Sequence, residues 1–335
     1  MNLKTRYLGL PLAHPLVASA SPLTATLDGM RQLEDSGAAA VVMASLYEEQ
    51  IRAEDTAYAL YTEHGSNSQA EAGSYFPELD DYNGGVSGHL ETLSRAARAL
   101  DIPVIASLNG TTSEGWITYA RELEQAGAAA LELNVYALPV DAAVSGAAME
   151  QQYLDIIRQV KSAVRIPISV KLAPYFTSMS HVAAELVKAG ADGLVLFNRF
   201  YAPDIDLTTL RVTRSLPLST AAELPLSLVW IGLLSRSLKC SLAASRGVES
   251  ATEVIKYLLV GANVVMTTSA LLRNGPEYLG TMRADLERWF EEQRFESLDA
   301  VRGLRDATRV EDPDAFFRAQ YVASLADYMP RKLVQ

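Results

Sequence analysis

The stretch "QAGAAALELN", residues Gln125–Asn134, connects the end of a predicted helix to a buried strand. Gly127 follows helix-like residues, and a glycine at that point allows the left-handed backbone that ends a helix. The apolar run after it predicts a parallel strand covered on both faces. The same pattern recurs as "DSGAAAVVMAS" at 35–45, "KAGADGLVLFN" at 188–198 and "LVGANVVMTTS" at 259–269. A repeated helix, glycine and strand unit predicts an α/β fold.

Four more apolar stretches complete the strands: "PLVASAS" at 15–21, "IPVIASLNG" at 102–110, "IPISVKLAP" at 166–174 and "KCSLAASRG" at 239–247. Helical patterns separate them at 27–36, 87–99, 114–126, 148–163, 178–189, 222–237, 250–260 and 276–292. Eight strands alternating with eight helices predict a (β/α)8 TIM barrel over residues 1–310. A Rossmann-type sheet is the alternative, but no strand is followed by a Gly-x-Gly-x-x-Gly turn.

Two long connections and a tail lie outside this pattern. Residues 47–86 follow the second strand and residues 199–221 the sixth; loops this long are typical of lids or interaction surfaces. For the first, a tolerated surface insertion is the alternative. After Arg294 we expect two further helices. Residues 311–335 form a predicted C-terminal helical extension packed on the barrel.

Composition excludes several classes of protein. The net charge of −11 argues against a nucleic-acid partner. No apolar run reaches membrane-spanning length, and the N-terminus lacks the apolar core of a signal peptide. The single cysteine, Cys240, excludes an internal disulfide and fits a reducing, cytoplasmic location.

Polar residues stand at the predicted carboxyl ends of the strands, where barrels of this type build their active sites. They are Ser19, Ser21, Ser45, Asn109, Asn134, Lys171, Asn198, Arg246, Gly247, Thr268 and Ser269. Each could instead cap the helix that follows. As a set they contain no carboxylate and no histidine, so we expect no metal. Amides, hydroxyls and a lysine suit a neutral heterocycle that carries an anion.

The turns after strands seven and eight are the expected anion site, since phosphate sites recur there in this fold. Small residues lead into a helix in both turns, and Arg246 could add charge; simple tight turns are the alternative. Lys171 has three open roles: a Schiff base, a donor to an electron-rich ring atom, or an ion-pair partner of Glu132.

Several segments resemble the dihydroorotate dehydrogenases, most closely the cytosolic class 1 enzymes. "SVKLAPYFTSMSHVAAELVKAGADGL" is similar to their lysine-bearing fifth strand, "HPLVASASP" to the first strand, "DDYNGG" to the Leu-Pro-Asn-x-Gly loop and "LELNV" to the Glu-Leu-Asn segment. "SLAASRGVESATEVIKYLLVGANVVMTTSALL" resembles the two phosphate-binding turns. The likeness runs from about residue 3 to residue 310.

The resemblance implies FMN bound on the barrel top and hydride transfer from a CH–CH substrate to flavin N5. Lys171 would then stabilise negative charge on the reduced ring. The implied cofactor contacts are Ala20, Ser45, Asn109, Asn134, Lys171, Gly247, Thr268 and Ser269. The implied substrate contacts are Asn83, Asn134 and Asn198. The resemblance also implies a homodimer. The sequence lacks the cysteines that an iron–sulfur cluster needs, so it does not indicate a partner subunit.

The sequence departs from the family at the general base. Ala137 stands where class 1 enzymes carry a cysteine and the membrane-linked class a serine, and Pro139 replaces a substrate-binding asparagine. Ala44 replaces a lysine, and Arg246 the first phosphate glycine. The other candidate bases are Tyr136, next to Ala137, and Glu48, with Glu49 and His64 in the same loop as Glu48.

Three functions follow as hypotheses. The first is an FMN-dependent oxidoreductase acting on a dihydropyrimidine-like substrate, with dihydroorotate disfavoured by the missing cysteine. The second is a catalytically silent relative that binds FMN or another ligand. The third is a Schiff-base lyase or aldolase that uses Lys171.

Overall fold

The computed structural model describes residues 1–51, 85–110, 116–136, 140–199, 204–213, 217–305 and 313–327. Eight parallel strands close into a barrel, and helices connect successive strands. The predicted (β/α)8 fold is therefore confirmed. None of the helices in these ranges is long and apolar enough to cross a membrane.

Thirteen strands are present in the described ranges. They are β1 Thr5–Tyr7, β2 Leu10–Leu12, β3 Leu16–Ala18, β4 Val41–Val42, β5 Leu46–Tyr47, β6 Val104–Gly110, β7 Ala130–Val135, β8 Ile168–Leu172, β9 Gly193–Leu196, β10 Asp204–Asp206, β11 Arg211–Thr213, β12 Ser241–Ser245 and β13 Val264–Thr267. All eight predicted barrel strands are among them.

The helices follow the predicted spacing. They are α1 Leu27–Asp35, α2 Gly85–Ala99, α3 Trp116–Gln125, α4 Gly146–Ala163, α5 Met179–Ala189, α6 Leu224–Leu234, α7 Ala251–Val260, α8 Ser269–Asn274, α9 Tyr278–Glu292, α10 Leu298–Val301 and α11 Pro313–Asp327. Short 3-10 helices span Pro22–Thr24 and Ala221–Glu223. The glycines of the repeated pattern have positive φ, between 90° and 116°, as predicted for residues that end helices.

The barrel closes through β4, the second barrel strand. β4 pairs with β3 on one side and with β6 on the other, and β13 pairs with β3. The second strand is interrupted after Val42 and resumes as β5, which pairs with the carboxyl half of β6. Residues 43–45 fill this interruption, near the carboxyl end of the barrel where we expect the site.

The N-terminal hairpin of β1 and β2 closes the opposite end of the barrel. Leu8 N donates to Ser241 Oγ at the start of β12, and Thr5 Oγ1 donates to Asn263 O just before β13. Tyr7 is fully buried and packs with the inward-facing barrel residues. Burial and the nearby charge of Glu132 raise the pKa of the Tyr7 hydroxyl. Because the hairpin covers the amino-terminal end of the barrel, the carboxyl end is the accessible one.

The connection after β9 and the chain's end add elements to the barrel. β10 and β11 form an exposed antiparallel hairpin within the predicted 199–221 loop. Most of the 47–86 loop lies outside the described residues. The two predicted tail helices are present as α10 and α11. Residues 318–326 of α11 are all exposed, and the packing of the 311–335 extension on the barrel stays a prediction.

Candidate active site

Lys171 lies where the carboxyl ends of three barrel strands meet. Its Nζ donates to Glu132 Oε1 at 3.2 Å and to Ser19 Oγ at 3.3 Å. The side chains are 11% exposed for Lys171 and 1% for Glu132. The ion pair that the sequence left open is therefore present. An amine engaged in this way is a poor nucleophile, so the contact disfavours the Schiff-base role.

Two predicted substrate residues, Asn134 and Asn198, hold each other in place. Asn198 Nδ2 donates to Asn134 Oδ1 at 2.8 Å, and Asn198 Oδ1 accepts from the backbone N–H of Arg199 at 2.9 Å. Both side chains are buried, Asn134 near the end of β7 and Asn198 just after β9, with β8 between the two strands. Amides that are fixed in this way present defined donors and acceptors, as recognition of a planar heterocycle requires.

A cleft of about 330 Å³ opens beside Lys171. Eight of the predicted site residues line it: Ser19, Ala20, Ser21, Lys171, Asn198, Arg246, Thr268 and Ser269. Its wall also contains residues that the predictions did not include, namely Pro22, Tyr47, Phe197, Arg199, Leu218, Ser219, Ser245, Val248, Met266, Thr267 and Leu272. The cleft runs from the lysine to the last two turns, which suits a ring at one end and an anion at the other.

Ser45, just before β5, and Asn109, on β6, are not part of the cleft lining. The hydroxyl oxygens of Ser45 and Ser107 are 2.8 Å apart, and Asn109 is paired in register with Asn134 across β6 and β7. Both belong to the carboxyl end of the barrel, but neither lines the cleft. Their predicted contact with a flavin stays a prediction.

The hydroxyls predicted to hold phosphate are engaged within the protein. Thr268 Oγ1 donates to Ser19 O at 3.3 Å. Ser269 Oγ accepts from Ser219 N at 3.1 Å and from Ser219 Oγ at 2.9 Å. The hydrogen bonds of Ser269 therefore hold the turn after β13 against the segment that precedes α6.

Gly247 is required by packing. Its φ is +69°, and a Cβ at this position would lie 2.7 Å from Leu224 N and 3.0 Å from Thr220 O. A side chain would therefore force the turn after β12 away from the start of α6. The glycine of the predicted phosphate turn has this structural reason in addition to any role in binding.

Glu223 joins two arginines at the cleft. Arg246 Nε lies 2.9 Å from Glu223 Oε2, and Arg199 Nε lies 3.4 Å from the same oxygen. The sequence predictions included Arg246 but missed Arg199 and Glu223. A signal was present, since residues 220–223, "TAAE", form a capping box in which Glu223 reaches back to Thr220 N.

The two weaker candidates for a base, Glu48 and Tyr136, both lie near Gly110 at the end of β6. Tyr136 N donates to Gly110 O at 3.2 Å. Glu48 is buried, and a Cβ built on Gly110 would lie 2.8 Å from Glu48 Oε2. A buried carboxylate next to the strand ends makes Glu48 the better placed of the two.

Several predicted positions fall outside the described residues. They are Asn83, His64, Ala137 and Pro139. Within the part of the chain that the structure covers, no group of three or more His, Cys, Asp or Glu side chains is placed to hold a metal ion.

The fold and the cleft together define a class of protein. A (β/α)8 barrel with a buried lysine, two linked asparagines and a cationic end to its cleft is an enzyme-type scaffold for a cyclic, anionic ligand. The family model for dihydroorotate dehydrogenase matches residues 77–290. The chain therefore belongs to the dihydroorotate dehydrogenase family.

Curated relatives carry the same family name. The catalytic subunit of dihydroorotate dehydrogenase B (NAD(+)) from Shouchella clausii (strain KSM-K16) is 27% identical over 226 residues, covering 66% of this chain and 74% of the relative. Its counterpart from Bacillus thuringiensis (strain Al Hakam) is 26% identical over 208 residues, covering 61% and 67%. The resemblance seen in the sequence motifs is confirmed at modest identity.

Family membership assigns FMN as the cofactor, and the residues present fit it. Lys171 and Ser19 offer donors to a ring, and Arg199 and Arg246 offer positive charge to a phosphate at the other end of the same cleft. When bound, the flavin would supply the hydride acceptor, and the residues around the cleft would bind it, orient it and exclude water.

Proposed function

We propose that the chain is an FMN-dependent oxidoreductase that acts on a CH–CH bond of a dihydropyrimidine-like substrate. The observation that carries this proposal is Lys171, whose ammonium is fixed by Glu132 and Ser19 on the wall of the cleft. A cation at that point stabilises negative charge that develops on a reduced ring. Asn134 and Asn198 are the proposed contacts to the amide edges of the substrate.

The proposal includes a restriction on the substrate. Ala137 occupies the position of the family's catalytic cysteine and can take no proton. Loss of a general base costs about 10²–10⁴-fold in rate, so dihydroorotate is a poor substrate unless another base acts. Glu48 is the proposed substitute because it is buried next to the end of β6.

Lys171 is tested through the reduction potential of bound FMN. Lys171→Met should lower the two-electron midpoint potential by about 30 mV or more, equivalent to about 1.4 kcal/mol lost from the reduced form. The exposed pair of Arg288 and Asp285 supplies the control, since Arg288→Ala should leave the potential unchanged. An unchanged potential in Lys171→Met, with FMN still bound, would remove the lysine from the proposal.

A silent, ligand-binding relative is the second candidate, and Ala137 is the observation that favours it. Such a protein would bind FMN and yet leave it oxidised with every dihydropyrimidine supplied under anaerobic conditions. The lyase alternative makes a different prediction, because borohydride would then trap a carbonyl substrate covalently on Lys171. The ion pair with Glu132 argues against that result.

The proposal also covers the protein's electron acceptor, its assembly and its location in the cell. The relatives' names specify NAD(+) and a catalytic subunit; by analogy, we propose that a separate protein carries electrons onward, a partner that the cysteine content did not indicate. The homodimer and the cytoplasmic location stay predictions.

A further inference from the structure

We propose that Arg199 and Arg246 together bind the phosphate of the cofactor, as a two-arginine clamp in which Glu223 holds both side chains in position. This inference rests on the proposed position of FMN in the cleft. It concerns side chains that the family's glycine-based phosphate turns do not supply, since by the resemblance Arg246 replaces the first glycine of the turn after β12.

The geometry leaves the outer edges of both guanidinium groups available. Glu223 Oε2 forms an ion pair with the Nε of each arginine, while Glu223 Oε1 accepts a hydrogen bond from Thr220 N. Among the described residues, the terminal nitrogens of Arg199 and Arg246 have no hydrogen-bond partner. Both side chains line the cleft and are 28% and 19% exposed, respectively. The planar edge of a guanidinium matches two phosphate oxygens.

The backbone amides before α6 are already committed. Ser219 N donates to Ser269 Oγ, Thr220 N to Glu223 Oε1 and Ala221 N to Glu249 Oε2. A phosphate therefore receives little from this segment, although it borders the cleft. Arg199 and Arg246 are charged donors on the cleft wall.

The other charges at the cleft and beside it are balanced. Arg273 is paired with Glu249 and also donates to Leu218 O and Ser219 O. Lys171 is paired with Glu132. Against one carboxylate, Glu223, stand two guanidinium groups, so the described part of the cleft has its excess positive charge between Arg199 and Arg246. This net positive charge attracts a phosphate dianion.

The backbone conformation of Arg246 also supports the proposal that its side chain has a function. Its φ is +96°, a conformation that residues with a Cβ adopt at a cost. The carbonyl of Arg246 is held by Tyr257 Oη at 2.8 Å, and its side chain is held by Glu223. A strained residue anchored at both ends, where glycine would be free of strain, indicates that the side chain itself has a use.

The test compares FMN with riboflavin, which has the same ring and lacks the phosphate. Both are titrated into flavin-free protein while ring fluorescence is followed, for the wild type and for Arg199→Ala, Arg246→Ala and the control Arg288→Ala. We expect each cleft variant to weaken FMN binding about tenfold or more while riboflavin affinity stays within about twofold. Raising the salt concentration should weaken FMN binding in the wild type and leave riboflavin binding unaffected.

Two results would overturn the clamp: FMN affinity unchanged in either cleft variant, or equal losses for FMN and riboflavin, which would indicate general damage to the cleft. Arg288→Ala should match the wild type for both ligands. A wild-type protein that binds neither flavin would overturn the proposed function, and the clamp with it; a protein that binds both flavins equally well would overturn the clamp alone.

Discussion

Lys171 and Glu132 are the residues on which the site depends most. Their ion pair is almost inaccessible to water, and Glu132 Oε2 has no hydrogen-bond partner in the described part of the chain. A buried pair contributes little net stability compared with apolar residues, but removal of one partner leaves an uncompensated charge. The pair is therefore better explained by a function at the cleft than by stability.

The first prediction concerns this pair. Lys171→Met should lower the free energy of unfolding by about 3 kcal/mol, and Lys171→Met/Glu132→Gln should recover most of that loss. Urea unfolding of the flavin-free protein measures both. As a control, Lys188→Met breaks the exposed pair with Glu185 and should cost less than about 1 kcal/mol. A double variant as unstable as the single one would contradict this account.

The second prediction concerns the strained backbone of Arg246. Glycine tolerates a φ of +96°, whereas alanine does not. Arg246→Gly should therefore be more stable than Arg246→Ala by about 1 kcal/mol, although both lose the same ion pair with Glu223. Thermal unfolding of the two variants decides the question. Equal stabilities would show that the turn relaxes without cost.

At the scale of elements, the glycines that end the helices differ in what surrounds them. Gly37 and Gly261 both have positive φ, +90° and +114°. A Cβ on Gly37 would meet nothing closer than 3.9 Å, whereas one on Gly261 would lie 2.5 Å from Ser235 Cβ. The two positions therefore separate backbone strain from steric overlap.

The third prediction uses this difference. Gly37→Ala should cost about 1–2 kcal/mol from strain alone, and Gly261→Ala should cost more because it also displaces Ser235. In a Ser235→Gly background, the cost of Gly261→Ala should fall toward that of Gly37→Ala. Chemical denaturation of the set tests the prediction, and a Ser235→Gly background without effect would contradict it.

The fourth prediction concerns the connection between β2 and β3, where His14 is buried. Its Nδ1 accepts from Leu16 N at 3.3 Å. Burial, together with the charge of Arg283, lowers the pKa of His14 to about 4. The unfolded chain binds the proton first, near pH 6.5, so the stability that neutral His14 provides is complete above that pH and declines as the pH falls toward 4.

The loss attributable to His14 at pH 5 is about 2 kcal/mol relative to pH 7. His14→Gln keeps an acceptor for Leu16 N and does not titrate, so its stability should change less between these pH values. His181→Gln, at an exposed position on α5, should keep the wild-type dependence. If His14→Gln loses as much stability as the wild type, His14 does not carry the effect.

For the whole molecule, the repeated sequence pattern was sufficient to predict the barrel. Periodicity and helix-ending glycines are local signals, and the strands at 104–110, 130–135 and 168–172 follow directly from them. Lys171, Asn198 and Ser269 were placed at the cleft by the same reasoning, because parallel strands bring their carboxyl ends together.

The remaining features depend on contacts between distant segments. Nothing local to Arg199 or Arg246 shows that Glu223 joins them, since Arg199 and Glu223 lie at opposite ends of the connection between β9 and α6, and Arg246 lies in the turn after β12. The engagement of Ser269 with Ser219, 50 residues earlier, is of the same kind. Such contacts require the folded barrel, whereas residue type and strand position require only the sequence.

We propose that the chain holds FMN as an oxidant and that Ala137 stands where the family carries its general base. The most direct measurement follows the visible absorbance of FMN-loaded protein after anaerobic mixing with dihydroorotate, for the wild type and Ala137→Cys. We predict that the flavin band bleaches in Ala137→Cys about 10²-fold or more faster than in the wild type. Equally fast bleaching of both proteins, or a cysteine variant that stays oxidised, would contradict the account.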